Sequence, residues 1–209
     1  MSSTIKVNNI QNLAGDDSGI DLSTNDQIIL KTANTTALTI DSSQNATFAS
    51  KLATTNLGTG AVLQVVNVQD GAVATTTGTV SYDDTIMQNN EGGEFMTLAI
   101  TPTSATNKLK IDVCFNGSAN TGNKITTVGL FQDTTADALA EASVFVSATN
   151  CPHNVNFTHF MTAGTTSATT FKVRGGNDTS STLTMNGQNG SRKYGGVFAS
   201  SITITEIAV

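Results

Sequence analysis

Tryptophan is absent from this chain of 209 residues, and cysteine, proline and histidine each occur only twice. Basic residues are also few, and the net charge is −6. Nucleic acid is an unfavoured partner because phosphate binding needs a concentrated Lys/Arg surface. No apolar run approaches the roughly 18 to 20 residues of a membrane-spanning helix. We therefore expect neither a nucleic-acid partner nor membrane insertion.

The N-terminus, residues 1–6, lacks the apolar core of a signal peptide. This predicts that the chain is made and kept in a cytoplasm until something else releases it. Two cysteines in that compartment, Cys114 and Cys151, are expected to be free thiols rather than a disulfide.

Enzyme signatures are missing as well. The sequence has no phosphate-cradling Gly-Lys-Ser/Thr loop, no His-Glu-x-x-His and no Gly-x-Ser-x-Gly. Cleavage of a polysaccharide would need two carboxylates at a defined separation, and the spacing of Asp83, Asp84, Glu91 and Glu94 does not identify such a pair. We expect no catalytic residue, no enzyme activity and no cofactor.

Two histidines are the one candidate for a metal site. His153 and His159 share one strand parity with mainly apolar neighbours. In a threefold assembly, a histidine on the axis would offer three copies of an imidazole ligand. The favoured interpretation is a packed histidine on an apolar face, so no metal site is predicted.

Threonine, serine, asparagine and glycine are abundant, whereas only 12% of residues are charged. Threonine favours strands, and asparagine and glycine favour turns, so this composition predicts an all-β protein with many tight reversals. Helix-period patterns are nearly absent, and the best helical candidate is the short run at residues 138–142.

Composition changes at residues 58–60. Residues 1–57 contain one aromatic, Phe48, whereas the other eight phenylalanines and both tyrosines follow residue 60. Only the second part has the large side chains of a self-contained core. The predicted segments are an N-terminal docking segment at 1–18, a β stalk at 19–53, a linker at 54–60 and a head domain at 61–209.

Apolar pairs recur about every 8 to 10 residues in the stalk, the spacing of successive short strands. These pairs are Ile20/Leu22, Ile28/Leu30, Leu38/Ile40 and Ala46/Phe48. Each strand has too little apolar area to bury alone, and its edges need covering. Three intertwined copies would share a core, so the stalk predicts a homotrimer; the alternative is a disordered polar linker.

The head pattern predicts about ten antiparallel strands in a two-sheet sandwich or jelly roll. In the clearest strand, residues 109–115, Leu109, Ile111, Val113 and Phe115 share one face. The runs at 62–66 and 128–131 are apolar on both parities, which indicates central strands or a subunit contact.

Several runs resemble marine bacteriophage tail-fibre and host-attachment proteins. They are STIKVNNIQ at 3–11, ALTID at 37–41, ATF at 46–48, GAVLQVV at 60–66, YGGV at 194–197 and SITITEI at 201–207. The resemblance implies a virion fibre with an N-terminal segment docked on the particle, a trimeric shaft, and a head like the jelly roll of the complement globular head and tumour necrosis factor. It also implies localisation to the tail or head surface of a virion after synthesis in the host cytoplasm.

A loop near the C-terminus is the candidate receptor-binding site, since it combines amides, two cations and an aromatic. Its candidate residues are Asn186, Gln188, Asn189, Arg192, Lys193 and Tyr194. If a last strand at roughly 197–207 pairs antiparallel with the first at 62–69, this loop lies at the far tip. A separate strand at 193–198 would instead place it at the base, and a polar hairpin with no ligand is the alternative.

The expected function is attachment of a phage to a host-surface glycan or protein, with other virion proteins bound through the N-terminus. Apolar Ile5, Val7 and Ile10 are the docking candidates. Two alternatives stay open: a structural head fibre, capsid decoration or tail-adaptor subunit, and a glycan-degrading spike. A bacterial surface adhesin is disfavoured by the missing signal peptide.

Overall fold

The structure is a computed structural model of the full chain. It describes residues 9–11, 19–21, 28–32, 35–41, 43, 45–48 and 58–209. The chain divides into two compact units, Met1–Leu57 and Gly58–Val209. The described residues contain strands, turns and one short 3-10 turn, so the predicted all-β class is confirmed.

The described residues of the N-terminal unit form five short strands. They are β1 (Asn9–Gln11), β2 (Gly19–Asp21), β3 (Ile28–Thr32), β4 (Thr35–Ile40) and β5 (Ala46–Phe48). Each pairs antiparallel with the next along the chain to form one meander. The strands therefore pair within a single chain, and the intertwining of three chains stays a prediction.

The pairing register explains the recurring apolar pairs. Leu30 lies opposite Ile20 on one side and Leu38 on the other, and Leu38 in turn lies opposite Phe48. One apolar position from each strand thus falls in the same row across the sheet. The β4–β5 turn is closed by Asp41, whose carboxylate accepts hydrogen bonds from the backbone N–H groups of Ser43 and Asn45, both at 2.9 Å.

The C-terminal unit, Gly58–Val209, has twelve strands, somewhat more than the ten predicted. The eight long ones are β6 (Val62–Asp70), β8 (Gly93–Ile100), β9 (Lys108–Ala119), β10 (Lys124–Gln132), β11 (Ala140–Val146), β12 (Pro152–Thr162), β13 (Thr169–Asn177) and β17 (Ser200–Ile207). The four short ones are β7 (Ala74–Thr76), β14 (Leu183–Met185), β15 (Gly187–Gln188) and β16 (Ser191–Arg192).

The long strands form two antiparallel sheets. Sheet I has the order β11-β10-β13-β8, and sheet II has the order β12-β9-β17-β6. Strand β14 pairs with the same edge of β9 as β17, and β7 pairs with β14. Along sheet II, β14 therefore lies in line with β17, and β7 lies in line with β6. Consecutive strands pass repeatedly from one sheet to the other, which makes the unit the predicted jelly-roll sandwich.

The main core lies between the two sheets. Leu109, Ile111, Val113 and Phe115 of β9 are all buried, as their alternation predicts. They pack against inward-facing side chains of the other strands, which include Leu98, Leu130, Phe171, Val173, Ile202 and Ile204. The opposite side chains of β9 therefore face outward.

Residues 77–92 cross the outer face of sheet I. They cover the outward side chains of β10, which explains why this strand is apolar on both of its faces. Val80 and Met87 are buried there against Phe131. The close approach depends on glycines: a Cβ at Gly176 would lie 2.5 Å from the carbonyl oxygen of Gly78. We call this segment the strap.

Three local expectations are wrong. Residues 138–142 are not helical, because the strand β11 begins at Ala140 and pairs with β10. The apolar run at 62–66 is not a central strand, because it lies in β6 at the edge of sheet II, where Val65 is 56% exposed; the alternative of a subunit contact stays a prediction. The last strand begins at Ser200 rather than near 197, because a 3-10 turn occupies Tyr194–Gly196.

No helix in the described part of the chain is long and apolar enough to cross a bilayer.

Candidate functional site

The candidate receptor-binding loop lies between β14 and β17, two strands that pair with the same edge of β9. Met185 at the end of β14 lies opposite Gly117 of β9, and Ser201 near the start of β17 lies opposite Cys114. Residues 187–199 leave the sheet between these points, and we call them the tip loop. Because Ser200 pairs with Asp70 and Ile207 with Val62, the tip loop lies at the end of sheet II away from Val62.

Asn186 closes the base of the tip loop. It is buried, and its side-chain amide donates to the carbonyl oxygens of Asp70 at 2.6 Å and Ala72 at 2.9 Å. Its side-chain oxygen accepts a hydrogen bond from the Ser200 hydroxyl at 2.7 Å. These contacts place Asn186 beneath the loop, away from solvent, where it connects three strands.

Ser200 completes this closure and has no counterpart among the residues predicted from sequence. Its hydroxyl accepts a hydrogen bond from the backbone N–H of Asn116 at 2.9 Å, and the side-chain amide of Asn116 donates to the Ala199 carbonyl at 2.6 Å. No local sequence pattern connects Ser200 or Asn116 with Asn186. Only the pairing of β9 with both β14 and β17 brings them to Asn186.

The first half of the tip loop is a small hairpin. Gly187 and Gln188 pair with Arg192 and Ser191, and the turn residues Asn189 and Gly190 have positive φ of 49° and 74°. Asparagine and glycine suit this two-residue turn because both tolerate left-handed backbone angles. Gln188 is half-buried and its amide donates to the Asn150 carbonyl at 2.6 Å, whereas Asn189 is exposed.

The second half presents cations and an aromatic ring to solvent. Arg192 and Lys193 are exposed, and Tyr194 is 75% exposed. The Tyr194 ring meets Phe198 edge to face, with ring centroids 6.0 Å apart. The structure thus brings Asn189, Arg192, Lys193 and Tyr194 together on one exposed loop, with Gln188 at its edge and Asn186 below.

The N-terminal docking candidates fall largely outside the described residues. Ile5 and Val7 lie there entirely. Ile10 lies in β1 opposite Ile20, and its side chain is not among those described. The docking hypothesis therefore stays a prediction.

The two histidines lie on the side of β12 that faces into the sandwich, the same side as buried Val155. His153 Nδ1 lies 3.2 Å from the Cys151 carbonyl oxygen, and its Nε2 is buried without a partner. Burial lowers the pKa of both imidazoles. Among the described residues, no group of three or more His, Cys, Asp and Glu is placed to hold a metal ion.

The acidic residues considered for hydrolysis have local structural contacts. Asp83 accepts hydrogen bonds from the N–H and hydroxyl of Thr85, and Glu91 accepts from the N–H groups of Ser81 and Gln88. Glu94 pairs with Arg174 at 3.5 Å. These contacts stabilise turns and sheet I.

Comparison with known proteins gives no family. No family model matches the chain, and no curated protein matches it.

Solved structures show distant likeness. A carbohydrate-binding module described as "CBM4 structure and function" has a TM-score of 0.31 and 13% identity over 50% of this chain and 66% of that one. The infectious bursal disease virus Gx strain structure has a TM-score of 0.35 and 12% identity over 90% of this chain and 50% of that one. The VP2 subviral particle of the same virus has a TM-score of 0.32 and 9% identity, covering 88% and 47%. The chain thus spans about half the length of the viral chains that it matches.

Proposed function

We propose that the protein is a non-enzymatic virion fibre or spike protein that attaches a phage to the host-cell surface through its C-terminal jelly roll. The observation that supports this is the tip loop, where Arg192, Lys193 and Tyr194 are exposed together at one end of sheet II. The resemblance of residues 3–11, 60–66 and 201–207 to phage attachment proteins points to the same function.

The chemistry of the tip loop suits an anionic glycan. Guanidinium and ammonium groups donate hydrogen bonds to carboxylate or phosphate groups, and charge makes these bonds stronger. The exposed Tyr194 ring offers a flat surface for a sugar, and the Asn189 amide adds a donor and an acceptor. In a chain of net charge −6, two adjacent cations form a local attraction for an anion.

We further propose that the protein acts as a homotrimer held together through the N-terminal unit. The short strands β1 to β5 have few apolar positions each, and a sheet of this kind has two edges to cover. Three tip loops on one fibre would bind a repetitive surface much more tightly than one, because the second and third contacts form at high effective concentration.

The test is adsorption of the purified full-length chain to host cells. The double variant Arg192→Ala/Tyr194→Ala is expected to adsorb at least about tenfold more weakly, a loss of about 1.4 kcal/mol. Tyr82→Ala is the matched control, since Tyr82 is 67% exposed and lies outside the tip loop. Equal adsorption by the double variant and the wild type would contradict the proposal.

A second candidate function is a capsid-decoration or tail-adaptor subunit whose tip loop binds another virion protein. Val197 is 86% exposed beside Tyr194, and an apolar side chain next to tyrosine and arginine is typical of protein interfaces. A binding assay with virus particles and with host cells distinguishes this function from host attachment. The purified chain should bind particles that lack it, and not host cells, if this second function is correct.

A further inference from the structure

The outer face of sheet II is a second polar surface, separate from the exposed residues of the tip loop. Side chains on β9, β12 and β17 that point away from the core form it, together with one from β6. We call this surface the polar face, and its residues are Lys110, Asp112, Cys114, Asn154, Asn156, Thr158, Phe160, Ser201, Thr203 and Asn67.

A shallow depression of about 440 Å³ lies in the middle of the polar face. Five of its lining residues carry hydroxyl, amide or carboxylate groups: Asp112, Asn156, Thr158, Ser201 and Thr203. Cys114, Val113 and Phe157 complete the lining, and the last two have their side chains packed in the core. Hydroxyl and amide groups both donate and accept hydrogen bonds, so this lining matches a ligand that does the same. Asp112 is the only charged residue that lines the depression.

Contacts within the polar face fix the orientation of several of these groups. The Thr158 hydroxyl donates to Asp112 Oδ1 at 2.6 Å, and Lys110 forms an ion pair with Oδ2. On the other side, the Asn67 amide donates to the Thr203 hydroxyl at 2.8 Å. Groups held in place lose less conformational entropy when a ligand binds.

The same contacts determine the charge of the site. Partial burial raises the pKa of Asp112, but the hydrogen bonds from Lys110 and Thr158 outweigh it, so the pKa lies below its ordinary value. Asp112 is therefore ionised, and the adjacent Lys110 balances its charge. A neutral ligand fits this balance better than a strongly charged one.

Phe160 provides an aromatic surface next to the depression. It follows Thr158 on the same side of β12, lies opposite Lys110, and is 58% exposed. Sugars combine hydroxyl groups at their rims with apolar C–H faces that pack against aromatic rings. A protein partner would instead require large apolar side chains at the centre, and the two in the lining, Val113 and Phe157, are packed into the core.

We propose that the polar face binds a neutral oligosaccharide, with Phe160 stacked on one sugar ring and Asp112, Asn156, Ser201 and Thr203 hydrogen-bonded to sugar hydroxyls. This site goes beyond the tip loop, which suits an anionic group, and does not depend on it. The two surfaces border each other. The Asn154 amide of the polar face donates to the Asn116 side-chain oxygen at 2.6 Å, and the Asn116 amide donates to the Ala199 carbonyl at the end of the tip loop.

The experiment measures binding of the full-length protein to cellohexaose, laminarihexaose, maltohexaose and mannohexaose by saturation-transfer difference NMR. At least one of these neutral hexasaccharides is expected to bind with a dissociation constant near 1 mM, typical of a shallow site. Phe160→Ala is expected to weaken this binding about tenfold. Phe145→Ala is the matched control, because Phe145 is 63% exposed on β11 of sheet I.

Absence of binding by all four sugars at about 10 mM, or equal binding by Phe160→Ala and the wild type, would overturn the inference. Thr203→Val supplies an independent variant if Phe160→Ala does not fold, and it is also expected to weaken binding. Arg192→Ala/Tyr194→Ala should bind the hexasaccharide normally. Failure of host-cell adsorption with retained sugar binding would contradict the proposed function and leave this site standing.

Discussion

Glu206 is a buried carboxylate whose partners are neutral groups. It lies in β17 and is fully buried, and its partners among the described residues include no cation. Its oxygens accept hydrogen bonds from the amides of Gln64 and Asn107, both at 2.6 Å, and from the N–H of Thr103 at 2.8 Å. Glu206 thereby connects β17, the edge strand β6 and the turn before β9.

Replacing this carboxylate is expected to destabilise the protein. In Glu206→Gln, an NH₂ group replaces an oxygen that accepts a hydrogen bond, and two buried donors then face each other. The expected loss is about 3 kcal/mol of unfolding free energy, measured by chemical denaturation. Glu141→Gln on the exposed side of β11 is the control and should change stability by less than about 0.5 kcal/mol.

The same residue predicts a pH dependence. Burial raises the pKa of Glu206, but the hydrogen bonds outweigh it and hold the pKa below 4.5. As the pH falls below 4.5, the unfolded chain therefore takes up this proton before the folded protein does. The contribution of Glu206 is complete above that pH and is lost below it, so the stability difference between wild type and Glu206→Gln should shrink on acidification.

At the scale of elements, the strap packs closely on the outer face of sheet I, and a substitution under it should destabilise the protein. Gly176 lies in β13 under the strap, and a Cβ there would lie 2.5 Å from the Gly78 carbonyl oxygen and 2.9 Å from a methyl group of Val80. Backbone cannot give way as a flexible side chain can. Gly176→Ala is therefore expected to cost about 1 to 3 kcal/mol by displacing the strap.

The matched control for that substitution is Gly58→Ala, because nothing lies within 4 Å of a Cβ at Gly58. Thermal denaturation of both variants gives the comparison. A midpoint for Gly176→Ala equal to that of the control would contradict the close packing of strap and sheet.

The strands show which parts of the architecture are readable in sequence. Alternation in residues 109–115 identifies β9 and its buried face, because side-chain direction in a strand depends only on position along the chain. The run at 62–66 misleads for a different reason. Its apolar residues suggest a central strand or a subunit contact. Whether a strand lies at an edge depends on partners that are distant in sequence, and β6 pairs with one strand among the described residues, β17.

The candidate binding residues at 186–194 also differ in how far sequence predicts their surroundings. Arg192, Lys193 and Tyr194 are exposed, as a polar segment rich in Gly and Asn indicates. Asn186 belongs to the same segment, yet it is buried because its partners are Asp70, Ala72 and Ser200. No local pattern distinguishes an amide that faces solvent from one that connects three strands.

At the scale of the whole molecule, the two compact units meet in sequence at Leu57 and Gly58. If the N-terminal unit is responsible for trimerisation, a chain restricted to residues 58–209 should keep its β-sheet circular dichroism and its cooperative melting. It should also be a monomer by light scattering, whereas the full chain should be a trimer. A monomeric full chain, or a trimeric 58–209 fragment, would contradict this assignment.

The hydrogen bonds at the base of the tip loop affect how far the loop can change in length and sequence. Asn186 and Ser200 are joined by a hydrogen bond of 2.7 Å, and both are bonded to Asn116, so β14 and β17 are connected at the base of the loop independently of the exposed turn. An insertion at the exposed turn of Asn189 and Gly190 would lengthen the loop without disturbing a strand of either large sheet. The exposed turn is thus a position at which the loop can change in length and sequence while the two sheets of the jelly roll stay the same.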